Sequence, residues 1–279
     1  MTDMTTSLSS PVYVQQTGDI VFATLNRPEK RNALTDDIVA QLTSLCECIA
    51  ADASVRGLVL RGAGGTFCAG GDFSGFQALM REPLAAGQDP IAVYNRKFGT
   101  LLERLATLSV PTIAVVEGAA IGGGCGLAAV CDRVLVADDA SFATPEVTLG
   151  LPPAQIAPFI VARIGAKEAR WLMLTGAQLS AGDALCLGLA DEVATSSLLS
   201  ALLERELAQL KTAEPNAVRA TKRIVVDAGL RGLPAVLDSA ADAFAVALRS
   251  GKVKEGLTAF GQKRAAAWCT ETLIPPDWQ

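Results

Sequence analysis

Two glycine-rich segments hold the residues of this chain best suited to chemistry. The first is Gly62-Ala63-Gly64-Gly65-Thr66-Phe67-Cys68-Ala69-Gly70-Gly71-Asp72; the second, about 50 residues on, is Ile121-Gly122-Gly123-Gly124-Cys125-Gly126. Each follows an apolar run that reads as a buried strand. Each puts small residues where backbone must come close to something. The main-chain N–H groups of Ala69 and Gly123 are expected to converge on one oxygen. Such a pair forms an oxyanion hole, which stabilises charge developing on a carbonyl. The arrangement points to chemistry alpha or beta to a thioester carbonyl.

Composition narrows the remaining options. The chain has no histidine, which excludes Ser-His-Asp and Cys-His catalysis and most zinc sites, and no metal is expected. Its seven cysteines are scattered, and Cys46-x-Cys48 is not a C-x-x-C. They read as reduced thiols of a cytoplasmic protein. A net charge of −5 argues against nonspecific nucleic-acid binding, yet it leaves room for a local basic pocket for an anionic cofactor. The polar start, Met1 to Ser10, lacks an apolar h-region, so no signal peptide is expected. No run of about 18 apolar residues suggests a membrane span.

The elements that must position these segments follow from the hydrophobic pattern. Of 279 residues, 50% are hydrophobic and only 5% aromatic, so the core is expected to pack through small side chains. Residues 1–10 read as disordered. Val12 to Gln16 and Ile20 to Leu25 read as a hairpin around Thr17-Gly18-Asp19. Thr35 is the expected N-cap of a helix over 36–51. Buried strands are expected at 57–61, 112–116 and 133–137, with helices at 91–106 and from Cys125. The stretch from 72 to about Pro90 reads as a mobile connection. Beyond Leu151 the pattern is mainly helical, with breaks at Pro215 and Gly229 to Pro234. Strand, turn and helix recur irregularly through the first 190 residues or so, a weak structural repeat. The organisation expected is therefore a core over 11–196 and a helical region over 197–279.

Taken in order, these motifs resemble the crotonase (enoyl-CoA hydratase/isomerase) superfamily. The resemblance runs from Leu25-Asn26-Arg27-Pro28 and Asn32-Ala33-Leu34 through Phe67 to Asp72, Gly118 to Leu127, Cys131-Asp132 and Phe142 to Gly150, ending at Phe260-Gly261-Gln262-Lys263-Arg264. It implies an α/β crotonase-like spiral of strand-strand-helix units with a C-terminal helical oligomerisation region, assembled as a homotrimer or homohexamer. It implies that Ala69 and Gly123 hold the thioester oxygen of an acyl-CoA. Gly70, Gly71 and Gly122 line that site, and Asp72 flanks it, although an acidic residue there is mostly structural. Glu146 matches one of the two catalytic glutamates of the hydratases, and a carboxylate beside an apolar pocket makes a general acid/base. Arg27, Lys30, Arg31 and Lys263 are the implied partners of coenzyme A, which enters as part of the substrate; no separate cofactor is implied.

The sequence departs from the family where the second hydratase glutamate would stand, at Gly126. Glu146 serving both steps in turn, bound water, and the substrate's own carboxylate remain open as sources of the second proton transfer. The stretch Pro153-Ala154-Gln155-Ile156-Ala157-Pro158-Phe159, together with Gly126, resembles a subgroup acting on branched glutaconyl-CoA esters: 3-methylglutaconyl-CoA and, more closely, isohexenylglutaconyl-CoA hydratases. Arg163 or Arg170 would then meet the terminal carboxylate. A single-glutamate Δ3,Δ2-enoyl-CoA isomerase, an acyl-CoA decarboxylase and a non-catalytic acyl-CoA-binding protein are the competing expectations.

Overall fold

A computed structural model describes residues 4–72, 74, 80–81, 87, 89–270 and 273–276. The connection expected between 72 and Pro90 lies largely outside the described residues. Nine strands and ten α-helices follow one another among them. β1 (Val12–Thr17) and β2 (Ile20–Leu25) form the expected hairpin. β3 (Gly57–Gly62), β4 (Thr112–Val116), β6 (Arg133–Ala137) and β9 (Glu192–Ala194) add to it in parallel, giving a six-stranded sheet in the order β1-β2-β3-β4-β6-β9. Strand β2 is buried at every position. Parallel strands covered on both faces read as continuous apolar runs, as here.

A second, three-stranded sheet consists of β5 (Ala119–Ile121), β7 (Ser141–Ala143) and β8 (Gln178–Ser180). Here the chain differs from expectation. Residues 119–121 form a strand, and the following helix begins at Gly123, not Cys125. Three-residue strands are too short to show a period of two, so pairing partners alone reveal them.

Helix α1 (Asp36–Ala51) starts where expected, with Thr35 accepting from the Ile38 N–H at 3.3 Å. α2 (Pro90–Ala106) is capped by Asp89 and starts on a proline, whose missing N–H costs nothing in a first turn. α3 (Gly123–Ala129) is buried almost throughout. α4 (Ala157–Ile164), α5 (Ala166–Thr175), α6 (Ala181–Leu187) and α7 (Leu199–Lys211) complete the shell. The C-terminal helices are α8 (Pro215–Leu230), α9 (Leu233–Arg249) and α10 (Lys252–Gly261).

Two boundaries move. Residues 4–10 are tied down rather than disordered: Thr6 N–H donates to the Val14 carbonyl at 3.0 Å, and Asn26 Nδ2 donates to the Leu8 and Ser10 carbonyls. The core also extends past 196. α7 buries Leu199, Leu202, Leu203 and Leu207, whereas α8 buries only Lys222. The drop in burial therefore falls near Pro215, where the helical region leaves the core.

Candidate active site

The first glycine-rich segment is held between two neighbours. On one side, Cys68 N–H donates to the Ala119 carbonyl at 2.8 Å and Ile121 N–H to the Cys68 carbonyl at 2.9 Å. On the other, Leu34 N–H donates to the Gly70 carbonyl at 2.7 Å and Asp72 N–H to the Leu34 carbonyl at 2.8 Å. These bonds bring the two segments side by side. A methyl group placed on Gly122 would stand 2.8 Å from Glu146 Oε1 and 4.0 Å from the Gly70 Cα; one placed on Gly70 would stand 4.0 Å from the Gly123 nitrogen. Gly122 sits at φ 52°, so that position requires glycine for its conformation as well as its size.

One expected donor is already used. The Ala69 N–H donates to the Arg31 carbonyl at 2.9 Å, so it does not face a substrate. Around Gly71 the Gly70 carbonyl and Asp72 N–H both point at Leu34. In a parallel bridge the central residue's own N–H then points the other way. Among the described residues no acceptor meets the Gly71 N–H. Gly123 opens α3, and first-turn N–H groups have no partner inside their helix.

Glu146 reaches the same place from β7. Gly122 N–H donates to the Ala143 carbonyl at 2.8 Å, and the chain then enters a 3₁₀ turn, Pro145–Leu149, closed by Gly150 in the left-handed region. Glu146 Oε2 is buried with no hydrogen-bond partner among the described residues. Burial pushes this carboxyl above the usual glutamate range, opposed by a hydrogen bond to its own backbone. A raised pKa suits a proton carrier near neutral pH.

Apolar side chains enclose the rest. Leu34 and Phe98 stand against Gly123, while Ile156 and Leu102 stand against Gly126. A methyl on Gly126 would lie 2.4 Å from Ile156 Cγ2. The space that a side chain at position 126 would take is filled by an isoleucine.

Several expected partners are committed elsewhere. Arg27 pairs with Asp72 at 3.1 Å and donates to the Ala33 carbonyl at 3.0 Å. Asp72 is held below the usual carboxylate range by its bonds from Ser74 and by Arg27. Both help to hold the loop's shape. Arg163 donates to the Cys131 carbonyl at 2.7 Å, the Gly188 carbonyl at 3.1 Å and the Asp191 carboxylate, so it is not available for a substrate carboxylate. Lys30, Arg31, Arg170 and Lys263 are exposed; Lys263 follows the end of α10 at φ 53°.

Asn32 is the residue whose importance sequence reasoning missed. It is fully buried at φ 56°. Its Oδ1 accepts from the Arg27 N–H at 2.8 Å, and its Nδ2 donates to the Ala63 carbonyl at 2.9 Å and the Thr66 carbonyl at 2.6 Å. Asparagine tolerates left-handed backbone better than most residues, and here its amide fixes the loop that presents Gly71. The Asn-Ala-Leu motif marked the place, but nothing in it shows burial.

Comparison with known proteins agrees with this geometry. The sequence model of the family described as enoyl-CoA hydratase/isomerase matches residues 15–271. The 2,3-dehydroadipyl-CoA hydratase of Escherichia coli is 31% identical over 256 residues, covering 91% of this chain and 97% of that protein. A crystal structure of an enoyl-CoA hydratase/isomerase from Marinobacter aquaeolei superposes with a TM-score of 0.89 at 39% identity, covering 93% of this chain and 99% of that one. AtuE of Pseudomonas aeruginosa superposes with a TM-score of 0.88 at 42% identity and the same coverage. With its spiral of paired sheets and its two glycine turns meeting at one carboxylate, the chain belongs to the enoyl-CoA hydratase/isomerase (crotonase) family of enzymes.

Proposed function

We propose that this enzyme adds water across the α,β-double bond of a branched glutaconyl-type CoA ester, isohexenylglutaconyl-CoA or 3-methylglutaconyl-CoA, using Glu146 as its one working carboxylate. The observation that carries the reading is the buried, unpartnered Glu146 Oε2 beside the open main-chain donors of the two glycine turns. The donor pair is reassigned from Ala69 and Gly123 to Gly71 and Gly123, because Ala69 gives its N–H to Arg31. Gly126, the Pro153–Phe159 stretch and the apolar wall of Ile156 and Leu102 support a branched acyl group.

The step balances with a single carboxylate. The thioester oxygen accepts from Gly71 and Gly123. Ionised Glu146 takes a proton from water as the water oxygen bonds to Cβ, and the π electrons move to the thioester oxygen as an enolate. Glu146 then returns that proton to Cα. Donors aimed at the oxygen stabilise the enolate more than the neutral ester, which is what accelerates the reaction. Lys30, Arg31 and Lys263 are the cations proposed for the CoA phosphates. Exposed apolar side chains on the C-terminal helices, including Leu233, Leu237, Phe244, Val246 and Phe260, support assembly as a homotrimer or homohexamer.

The lone carboxylate also favours a second reading, a Δ3,Δ2-enoyl-CoA isomerase that moves one proton and adds no water. Mass spectrometry of crotonyl-, 3-enoyl-, 3-methylglutaconyl- and isohexenylglutaconyl-CoA after incubation with the enzyme separates the two. Gain of one water, strongest on a branched glutaconyl ester, is the expected result. An unchanged mass with a shifted double bond assigns the isomerase, and loss of carbon dioxide assigns a decarboxylase.

A further inference from the structure

Two consecutive side chains, Gln155 and Ile156, each pack onto a glycine of a different helix. A methyl on Gly99 of α2 would stand 1.9 Å from Gln155 Oε1, and one on Gly126 of α3 would stand 2.4 Å from Ile156 Cγ2. Gln155 Nε2 also donates to Asn95 Oδ1 of α2 at 2.7 Å. The segment that carries Glu146 thus ends in a clasp that joins α2 to α3. Ile156 is 3% exposed and stands beside Leu102 of α2 at the Gly126 position. Gly126 and Gly122 are one helical turn apart, linked by the Gly126 N–H to Gly122 carbonyl bond of 3.0 Å. Glu146 therefore meets α3 at one turn and Ile156 at the next, a rise of about 5 Å. An acyl chain whose thioester oxygen rests on the Gly123 N–H and whose reacting carbons face Glu146 has its Cβ substituent within reach of Ile156.

We propose that Ile156 is the residue that determines acyl specificity: seated on Gly126, it forms the apolar end of the pocket and discriminates between CoA esters by the length of the apolar chain at Cβ, favouring the methyl of 3-methylglutaconyl-CoA over an isohexenyl chain. This rests on the proposed function above. Among the described residues this wall consists of Ile156 and Leu102, neither of which pairs with charge, so a polar branch directed at it loses its hydration without compensation. Gly126 is glycine because the isoleucine occupies the volume of any larger side chain.

The test uses binding, which does not depend on turnover. Calorimetry would give Kd for free CoA, 3-methylbutanoyl-CoA and 3-methyloctanoyl-CoA with the unaltered enzyme, Ile156→Ala and Ile156→Val. Removing buried carbons from a pocket wall changes discrimination between alkyl groups by about tenfold or more. Ile156→Ala is expected to shift the ratio of the two ester Kd values about tenfold toward the longer ester. Ile156→Val should move it less, in the same direction, with free CoA bound equally by all three. Gly126→Ala should disturb the ratio in the unaltered background but not together with Ile156→Ala, because contacting residues couple. A residue that only holds the fold would lower Tm and weaken both esters alike. An unchanged ratio in both Ile156 variants overturns the role of Ile156 while leaving the functional reading intact. Failure of the unaltered enzyme to bind any CoA ester overturns that reading and this inference with it.

Discussion

The first turn of α3 and the turn that follows it carry opposite chemistry. At Gly122 the missing side chain makes room for the Glu146 carboxylate, whereas at Gly126 it makes room for Ile156. Both positions are glycines in one short run, and sequence gives them equal weight. One admits a charge into a buried place and so has a cost in stability. The other packs an aliphatic branch and contributes to stability. The contrast shows that a glycine in such a run does not mark an empty place: at Gly126 the space is built into an apolar wall.

The largest effect expected is on the polar side. Glu146→Gln should lower kcat about 10²–10⁴-fold, the range for loss of a general acid/base, while Kd for acyl-CoA stays within a few-fold. Steady-state kinetics together with calorimetry checks both parts, and near-full activity would remove Glu146 from the chemistry.

The donor assignment comes next. Gly71 has open space where a Cβ would stand, so Gly71→Ala should be nearly silent. Gly71→Pro removes the N–H and should cost about 10²–10³ in kcat, as for other oxyanion donors. If both variants behave alike, Gly71 is not a donor.

Positioning of the loop is tested through Asn32. Asn32→Ala strips the Arg27 N–H and the Ala63 and Thr66 carbonyls of their partner. Denaturant unfolding should show a loss of about 3 kcal/mol or more, since each of the three buried groups left unsatisfied costs about 1–3 kcal/mol. Unchanged stability would mean that the loop holds its shape without Asn32.

The smallest effect is a gain. Burial raises the Glu146 pKa in the folded state, so between the unfolded and folded values the folded protein binds more protons. Stability therefore falls as pH rises through that window. Glu146→Gln, which carries no charge, should be more stable than the unaltered enzyme at neutral pH. The difference in Tm should disappear as pH drops below the ordinary glutamate range. A variant that is less stable at neutral pH would contradict the burial argument.

Much of the molecule was legible in the chain because local signals and tertiary structure agree. The Thr35 cap, the all-apolar β2 and the hairpin around Gly18 stand as read. The two glycine segments also lie side by side, as their expected convergence requires. What failed depended on facts that do not lie along the chain. Gly70 has φ 95°, and such a turn of the backbone decides which neighbouring N–H faces outward. Hence Ala69 was expected where Gly71 stands. Arg27 and Arg163 read as free cations, but their acceptors, Asp72 and Asp191, lie far off in sequence. Ile156 meets Gly126 only through the packing of α2, α3 and the segment after Glu146.

The pH dependence of kcat/KM for hydration tests the one-carboxylate account most directly. The account predicts a single limb: activity falls as pH drops through the raised pKa of Glu146, stays level above it, and the limb vanishes in Glu146→Gln. A bell-shaped profile, or a limb that survives in Glu146→Gln, would show a second ionising group in the reaction and contradict the account.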